Sequence, residues 1–180
     1  TIYGAQWISY GNTALQFNGI TDYVSCGNNP SLNITDKITI EAWVYNQEDR
    51  TLRIPISKGA YKNNGWYWWI DTYGWRVTIN QPGLREDIPS GYTVPLNEWH
   101  HLAMVIDNNA LTVSFYVDGN CIATKSMSFA FSGNANERLY IGRYRYEHNW
   151  HGTLDDVRIY NRACLLYTSD AADDMQCVDI

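Results

Sequence analysis

Residues 65–75 read GWYWWIDTYGW, and this stretch decides how the rest of the chain must be arranged. Trp66, Tyr67, Trp68, Trp69, Tyr73 and Trp75 are interrupted only by Ile70, Asp71, Thr72 and Gly74. Aromatic and β-branched residues bounded by glycine favour an extended strand, whose successive side chains point to opposite faces. One face then carries Trp66, Trp68 and Ile70, and the other Tyr67, Trp69 and Asp71. A strand with one wet face would alternate aromatic with polar residues. A strand aromatic on both faces therefore either lies between two layers or shows one row to a ligand.

Working outward, short apolar or alternating segments recur along the chain. Before the aromatic stretch come 14–17, 23–26, 38–45 and 54–58, after a Gly-, Ser- and Asn-punctuated lead-in over residues 1–13. After it come 76–80, a Pro/Gly loop over 81–91, then 99–107, 112–117, 121–126, 139–143 and 153–160. Asn18-Gly19, Gly27-Asn28-Asn29-Pro30 and residues 46–49 supply turn chemistry between the earlier segments. Asp118-Gly119-Asn120 between two strand runs predicts a tight hairpin. No stretch keeps helical periodicity, so the expected fold is all-β, a two-sheet antiparallel jelly-roll sandwich.

The 180 residues suit one domain with a substantial core, and 45% hydrophobic with 14% aromatic composition excludes a disordered polymer. The net charge of −6, with no cluster among the 13 basic residues, makes nucleic acid and anionic membrane poor partners. No apolar run approaches the length of a bilayer span. The chain opens at Thr1 without a methionine, which is consistent with a removed leader or upstream domain.

Several phrases, in order, resemble one family: ALQFNGITDYV (14–24), ITIEAWV (38–44), WHHLAMVID (99–107), FYVDGN (115–120), LYIG (139–142) and GTLDDVRIYNRA (152–163). They are similar to the laminin G-like, concanavalin A-like jelly-roll domains over nearly the whole chain. The resemblance implies two antiparallel sheets, one concave, in a domain appended to a larger secreted or viral surface protein, where such domains commonly bind carbohydrate. A fold hosts many functions, so the site must be argued separately. Domains of this family usually begin with a further strand ahead of a segment like Gly4-Ala5-Gln6-Trp7, and an edge strand is expected to be missing here.

The C-terminal end departs further. Residues 164–173, CLLYTSDAAD, back-translate as TGT CTC TTA TAC ACA TCT GAC GCT GCC GAC, a transposon-type sequencing-library adapter read in frame. Residues 174–176 would cover a sample index, and 177–179 match the adapter resuming. The expected organisation is a jelly-roll domain over 1–163 and a non-native tail over 164–180, in a gene assembled from an environmental sample. The alternative is a genuine acidic tail with a last strand at 165–168. Fusion scars are kept out of fold reasoning. Of the four cysteines, Cys164 and Cys177 then fall in the tail, and Cys26 and Cys121 are expected as free thiols, small hydrophobes in or beside strands, with one bridge between them as the alternative.

Glycoside hydrolysis needs two carboxylates across the scissile bond. The strand Ile38–Val44 offers only Glu41 and the aromatic strand only Asp71, so Glu41 is expected to be bonded to a neighbouring strand. His100 and His101 face opposite ways, and His148 and His151 lack further zinc ligands. Calcium fits this composition better, since hard cations take carboxylate and carbonyl oxygens. The resemblance implies a calcium site with Asp155 as its carboxylate, and Asp22 with the Asn18-Gly19 carbonyls to complete it. The other reading makes Asp155 and Asp156 turn and edge residues.

For ligand binding, sugar rings present C–H patches that pack on aromatic faces while planar polar groups take the hydroxyls. Tyr67, Trp69 and Tyr73 with Asp71, or the opposite row Trp66 and Trp68, and the loop cluster Tyr144, Arg145, Tyr146 and Trp150 with His148 and Asn149, are the candidates. Trp43, Trp99 and one row of the aromatic strand are expected between the sheets. The function expected is a non-catalytic, lectin-like module that binds polysaccharide or glycan by aromatic stacking, at a cell or virion surface or outside the cell. The alternatives are a protein-binding adhesin module, which predicts a broad exposed apolar patch, and a glycoside hydrolase or lyase, which requires convergent acids.

Overall fold

The computed structural model describes residues 1–9, 13–133, 136–145 and 147–164. The expected tail beyond Cys164, with its alternative last strand, and the candidate Tyr146 lie outside the described residues. Among the described residues, fourteen strands are arranged in two antiparallel sheets of seven strands each. In chain order they are β1 (Ile2–Tyr3), β2 (Gln6–Ser9), β3 (Thr13–Asn18), β4 (Tyr23–Gly27), β5 (Lys37–Asn46), β6 (Ile56–Ala60) and β7 (Asn64–Asp71). They continue as β8 (Gly74–Gln81), β9 (Leu84–Pro89), β10 (Trp99–Asp107), β11 (Thr112–Val117), β12 (Asn120–Ser126), β13 (Leu139–Ile141) and β14 (His151–Tyr160). The first sheet runs β1-β4-β13-β6-β7-β8-β9 and the second β12-β11-β10-β5-β14-β3-β2.

Turn chemistry sets the hairpins. Asp118 and Gly119 both have positive φ, +48° and +79°, and Val117 pairs with Asn120 across them. Two left-handed residues give the type I′ turn, whose twist matches that of the strands it joins. Two segments differ from the sequence expectation. The lead-in forms two edge strands, β1 on the first sheet and β2 on the second. The Pro/Gly loop contains the edge strand β9, because Pro82 and Gly83 (φ +79°) close a two-residue hairpin between Gln81 and Leu84. Arg85, Glu86 and Asp87 on β9 are the charged residues expected of an exposed edge.

The aromatic stretch spans the β7–β8 hairpin, with Trp75 on β8 directly opposite Ile70. The two faces of β7 divide as alternation requires. Trp66, Trp68 and Ile70 join Trp75, Val77 and Ile79 in the core between the sheets, against Ile38, Ile40, Val44, Leu102, Met104 and Phe115 of the second sheet. Tyr67 and Trp69 face away from that core and form a second cluster with Ile54 and Tyr144.

Three expectations about side chains are corrected. Trp150, a candidate ligand contact, is fully buried in the inter-sheet core at 0% exposure, because its position just before β14 turns the indole inward. Trp43 points outward on β5, at 37% exposure, since Ala42 and Val44 take the inward positions. Its ring stands edge-on to His101, and Trp99 packs on Tyr45, so Trp99 too lies outside the main core cluster. Cys26 and Cys121 are free thiols, as expected, but both are exposed and on different sheets, so they are not buried hydrophobes.

Truncating a fully buried indole removes dispersion contacts and leaves a cavity. Trp68→Ala or Trp150→Ala should lower unfolding free energy by about 3–5 kcal/mol, whereas Tyr73→Ala at the hairpin tip should change it by less than about 0.5 kcal/mol, as measured by urea unfolding.

Candidate functional site

The outward face of the first sheet carries a cleft of about 590 Å3. Its floor is Tyr67 and Trp69 of β7, with Arg76 of β8 directly opposite Trp69 in the ladder and Arg85 at the edge on β9. Its walls are Leu52, Tyr61 in the β6–β7 turn, and the loop residues Tyr144, Arg145, Glu147 and His148. Tyr67 and Trp69 are 2% and 3% exposed, so the outward row of the aromatic strand is a covered floor, not an open platform.

The cover is pinned by specific bonds. The backbone N–H of Leu52 donates to Asp71 Oδ2 at 3.1 Å, that of Ile70 to the carbonyl of Arg53 at 3.1 Å, and that of Ile54 to the carbonyl of His148 at 3.1 Å. The backbone N–H of Tyr61 donates to the Tyr144 hydroxyl at 2.9 Å, tying the β6–β7 turn to the loop. His148 stacks almost parallel to Tyr144 and packs against Trp69 at 5.5 Å between ring centroids. Burial pushes the His148 imidazole below its ordinary pKa, which favours the neutral form at pH 7.

Polar groups under the floor are paired across the ladder. The Trp69 indole N–H donates to Thr78 Oγ1 at 2.7 Å, and the Thr78 hydroxyl donates to Asp87 at 2.5 Å. Asp87 also accepts two bonds from Arg85, through Nε at 2.9 Å and Nη2 at 2.7 Å. Asp71 accepts two bonds from Arg76, at 2.6 and 2.9 Å. These bonds hold the Arg76 guanidinium over the Trp69 ring, 4.8 Å from its centroid. Arg85 lies over Tyr61 at 5.4 Å. Arg145 donates to Glu137 at 2.7 Å.

Of the candidate ligand residues, Tyr67, Trp69, Tyr144, Arg145 and His148 line this one cleft. Asp71 is buried beneath it as the anchor of Arg76, and Tyr73 projects from the hairpin tip at 73% exposure, outside the lining. Arg76, Arg85 and Tyr61 complete the site. Arg76 was readable in principle, since a hairpin closing at Asp71 and Gly74 sets it across from Trp69. Arg85 was hidden by reading its strand as a loop.

Glu41 lies on the opposite sheet, fully buried, and accepts from the Tyr160 hydroxyl at 3.2 Å and from Arg158 at 3.5 Å, both on neighbouring β14. Burial pushes its carboxyl above the usual range, while the Tyr160 and Arg158 bonds oppose that shift.

A family described as the concanavalin A-like lectin/glucanases superfamily matches residues 18–165. The chain belongs to this superfamily. No curated protein matches the sequence. Among solved structures, domain 4 of AbnA, an extracellular GH43 arabinanase from Geobacillus stearothermophilus in complex with arabinotriose, shares 19% identity with TM-score 0.68, over 89% of this chain and 75% of that one. The binding domain of Paraclostridial Mosquitocidal Protein 1 shares 19% identity with TM-score 0.72, over 91% of this chain but 44% of that one. A heptameric SAP-like pentraxin from Limulus polyphemus shares 16% identity with TM-score 0.57, over 82% and 75%. At these identities the likeness establishes the jelly-roll fold.

The calcium set implied by the family resemblance does not converge. Asn18, Gly19 and Asp22 share one turn, where the Asn18 side-chain oxygen, the Gly19 carbonyl and the Asp22 carboxylate already accept hydrogen bonds. Asn18 Oδ1 accepts from the N–H groups of Ile20 and Thr21, and Asp22 accepts from the Asn18 N–H at 3.0 Å and the Thr21 hydroxyl at 3.2 Å. The Gly19 carbonyl accepts from Arg53 Nη1 at 3.2 Å. Asp155 lies four residues beyond His151, the ladder partner of Asn18, on the order of 13 Å along the strand, and Asp155 Oδ1 accepts from the Asp156 N–H. These residues do not fit a calcium cage. The cation at this corner is the Arg53 guanidinium, which also bonds the Asn149 carbonyl at 2.8 Å and the Glu48 carboxylate.

Arg53→Met should therefore destabilise the domain by about 2–3 kcal/mol, because it strips charged hydrogen bonds from two carbonyls and a carboxylate. EDTA should leave the wild-type melting temperature unchanged by differential scanning fluorimetry. A fall of several degrees on chelation would contradict this assignment.

Proposed function

We propose that this domain is a non-catalytic carbohydrate-binding module, and that its glycan occupies the cleft over Tyr67 and Trp69. The observation that carries this reading is the composition of one cavity: four aromatic rings, Tyr61, Tyr67, Trp69 and Tyr144, meet planar polar groups from Arg76, Arg85, Arg145 and His148. Apolar walls with a few oriented polar groups, in a volume of about 300–1,000 Å3, are the ordinary form of a small-ligand site. Tyr61 is the ring best placed to stack on a sugar, being 54% exposed at the rim, while Tyr67 and Trp69 form the buried floor. The neighbour solved in complex with arabinotriose supports the reading through its shared fold.

The adhesin alternative is less well supported. Large exposed apolar side chains are spread over separate elements, including Trp7 on β2, Trp43 on β5, Leu84 on β9 and Ile122 on β12. Such scattered residues are normal on protein surfaces. The proposal places the module outside the cell or at a cell or virion surface, attached to further domains. Among the described residues no helix is long and apolar enough to cross a membrane.

A glycan and polysaccharide array probed with the chain should show binding, and Tyr61→Ala should weaken it roughly 10-fold, corresponding to about 1.4 kcal/mol of stacking and contact energy. Trp43→Ala, on the opposite sheet, should bind as wild type. A silent array with folded protein, or loss of binding in Trp43→Ala alone, would reject this site.

A further inference from the structure

The polar groups of the cleft are unequally divided between donors and acceptors. Three of the thirteen basic residues, Arg76, Arg85 and Arg145, line it, although the chain as a whole carries a net charge of −6. The only carboxylate in its lining is Glu147, which stands 65% exposed at the rim. The carboxylates that pair with the three arginines, Asp71, Asp87 and Glu137, are not part of the lining. Each therefore holds its guanidinium from outside the cavity wall and leaves N–H groups for the cavity. Arg85 uses Nε and Nη2 on Asp87, which leaves Nη1, and Arg145 uses Nη2 on Glu137.

The other polar atoms do not redress the balance. The Trp69 indole N–H is spent on Thr78, and the Tyr144 hydroxyl accepts from Tyr61. Burial raises the pKa of the Tyr67 and Tyr144 hydroxyls, so neither supplies a charged phenolate acceptor. A neutral sugar brings hydroxyls that need acceptors as well as donors, and beside three guanidinium groups the lining offers as acceptors only Glu147 at the rim, one nitrogen of the neutral His148 and the tyrosine hydroxyls. A carboxylate brings acceptors only, and the arginine fork matches its geometry.

Resting on the carbohydrate reading above, we infer that the cleft selects an acidic saccharide, whose carboxylate is held by the free guanidinium nitrogens of Arg85 and Arg145 while the ring lies against Tyr61. The preordered arginines reduce the cost of fixing long side chains on binding. Because Asp71, Asp87 and Glu137 already balance the three charges, selectivity comes from directed donors more than from net positive potential.

The test is a binding series on the whole chain with alginate, polygalacturonate and hyaluronate oligosaccharides, each beside its carboxyl-reduced counterpart, together with neutral arabinan, xylan and β-glucan fragments. At least one acidic oligosaccharide should bind 10-fold or more tightly than its reduced form. Arg85→Gln and Arg145→Gln, checked for folding by thermal unfolding, should each erase most of that difference. If reduced and acidic forms bind equally, or only neutral fragments bind, the acidic inference is overturned while the carbohydrate reading stands. If nothing in the series binds to folded protein, both are overturned.

Discussion

Successive side chains of a strand must point to opposite faces, and in β7 nearly every residue from Trp66 to Ile70 is too apolar to leave in water. That constraint requires two covers. The second sheet covers Trp66, Trp68 and Ile70, and the segments around Leu52–Ile54 and Tyr144–His148 cover Tyr67 and Trp69. A one-residue slip of β7 would exchange the rows and put Asp71 among the core residues. The register is held on both sides, by Ile56 opposite Trp68 on β6 and by Arg76 opposite Trp69 on β8.

The second cover differs from the first in kind. Between the sheets the contacts are apolar side chains at close packing. Over Tyr67 and Trp69 they are loops, and loops bring backbone polar groups that must be satisfied. Asp71 meets part of that need. It is buried, accepts from Arg76, from the Leu52 N–H and from the Tyr73 N–H, and so fixes the β7–β8 turn, the covering segment and the guanidinium over Trp69 at once. The incomplete fit between loops and sheet is the cleft. The proposed binding site follows from a layer that closes imperfectly over an aromatic floor.

Much of this was legible in the residues. The strands, the Asp118-Gly119 turn and the two-faced character of β7 follow from propensity and period, and Tyr67, Trp69, Tyr144 and Arg145 line one cleft. What could not be read was which tryptophans face in. Trp43 and Trp150 each sit in or beside a strand whose inward face depends on pairing register, and register is a tertiary property. The Pro82-Gly83 pair concealed β9, because the same residues that mark a loop also close a hairpin, and with β9 went Arg85. The residues of the expected calcium set are held apart, because the ladder separates Asp155 along β14 from the turn that holds Asn18 and Asp22.

The central claim is that the outward row of β7, and not the exposed face of the other sheet, is where ligand meets protein. The most direct measurement is a two-dimensional 15N–1H NMR titration with an array-positive oligosaccharide, following the tryptophan indole and arginine Nε resonances. The account predicts that Trp69, Arg76 and Arg85 shift together while Trp43 and Trp7 stay fixed. Shifts confined to Trp43 or Trp7, with Trp69 unmoved, would contradict it.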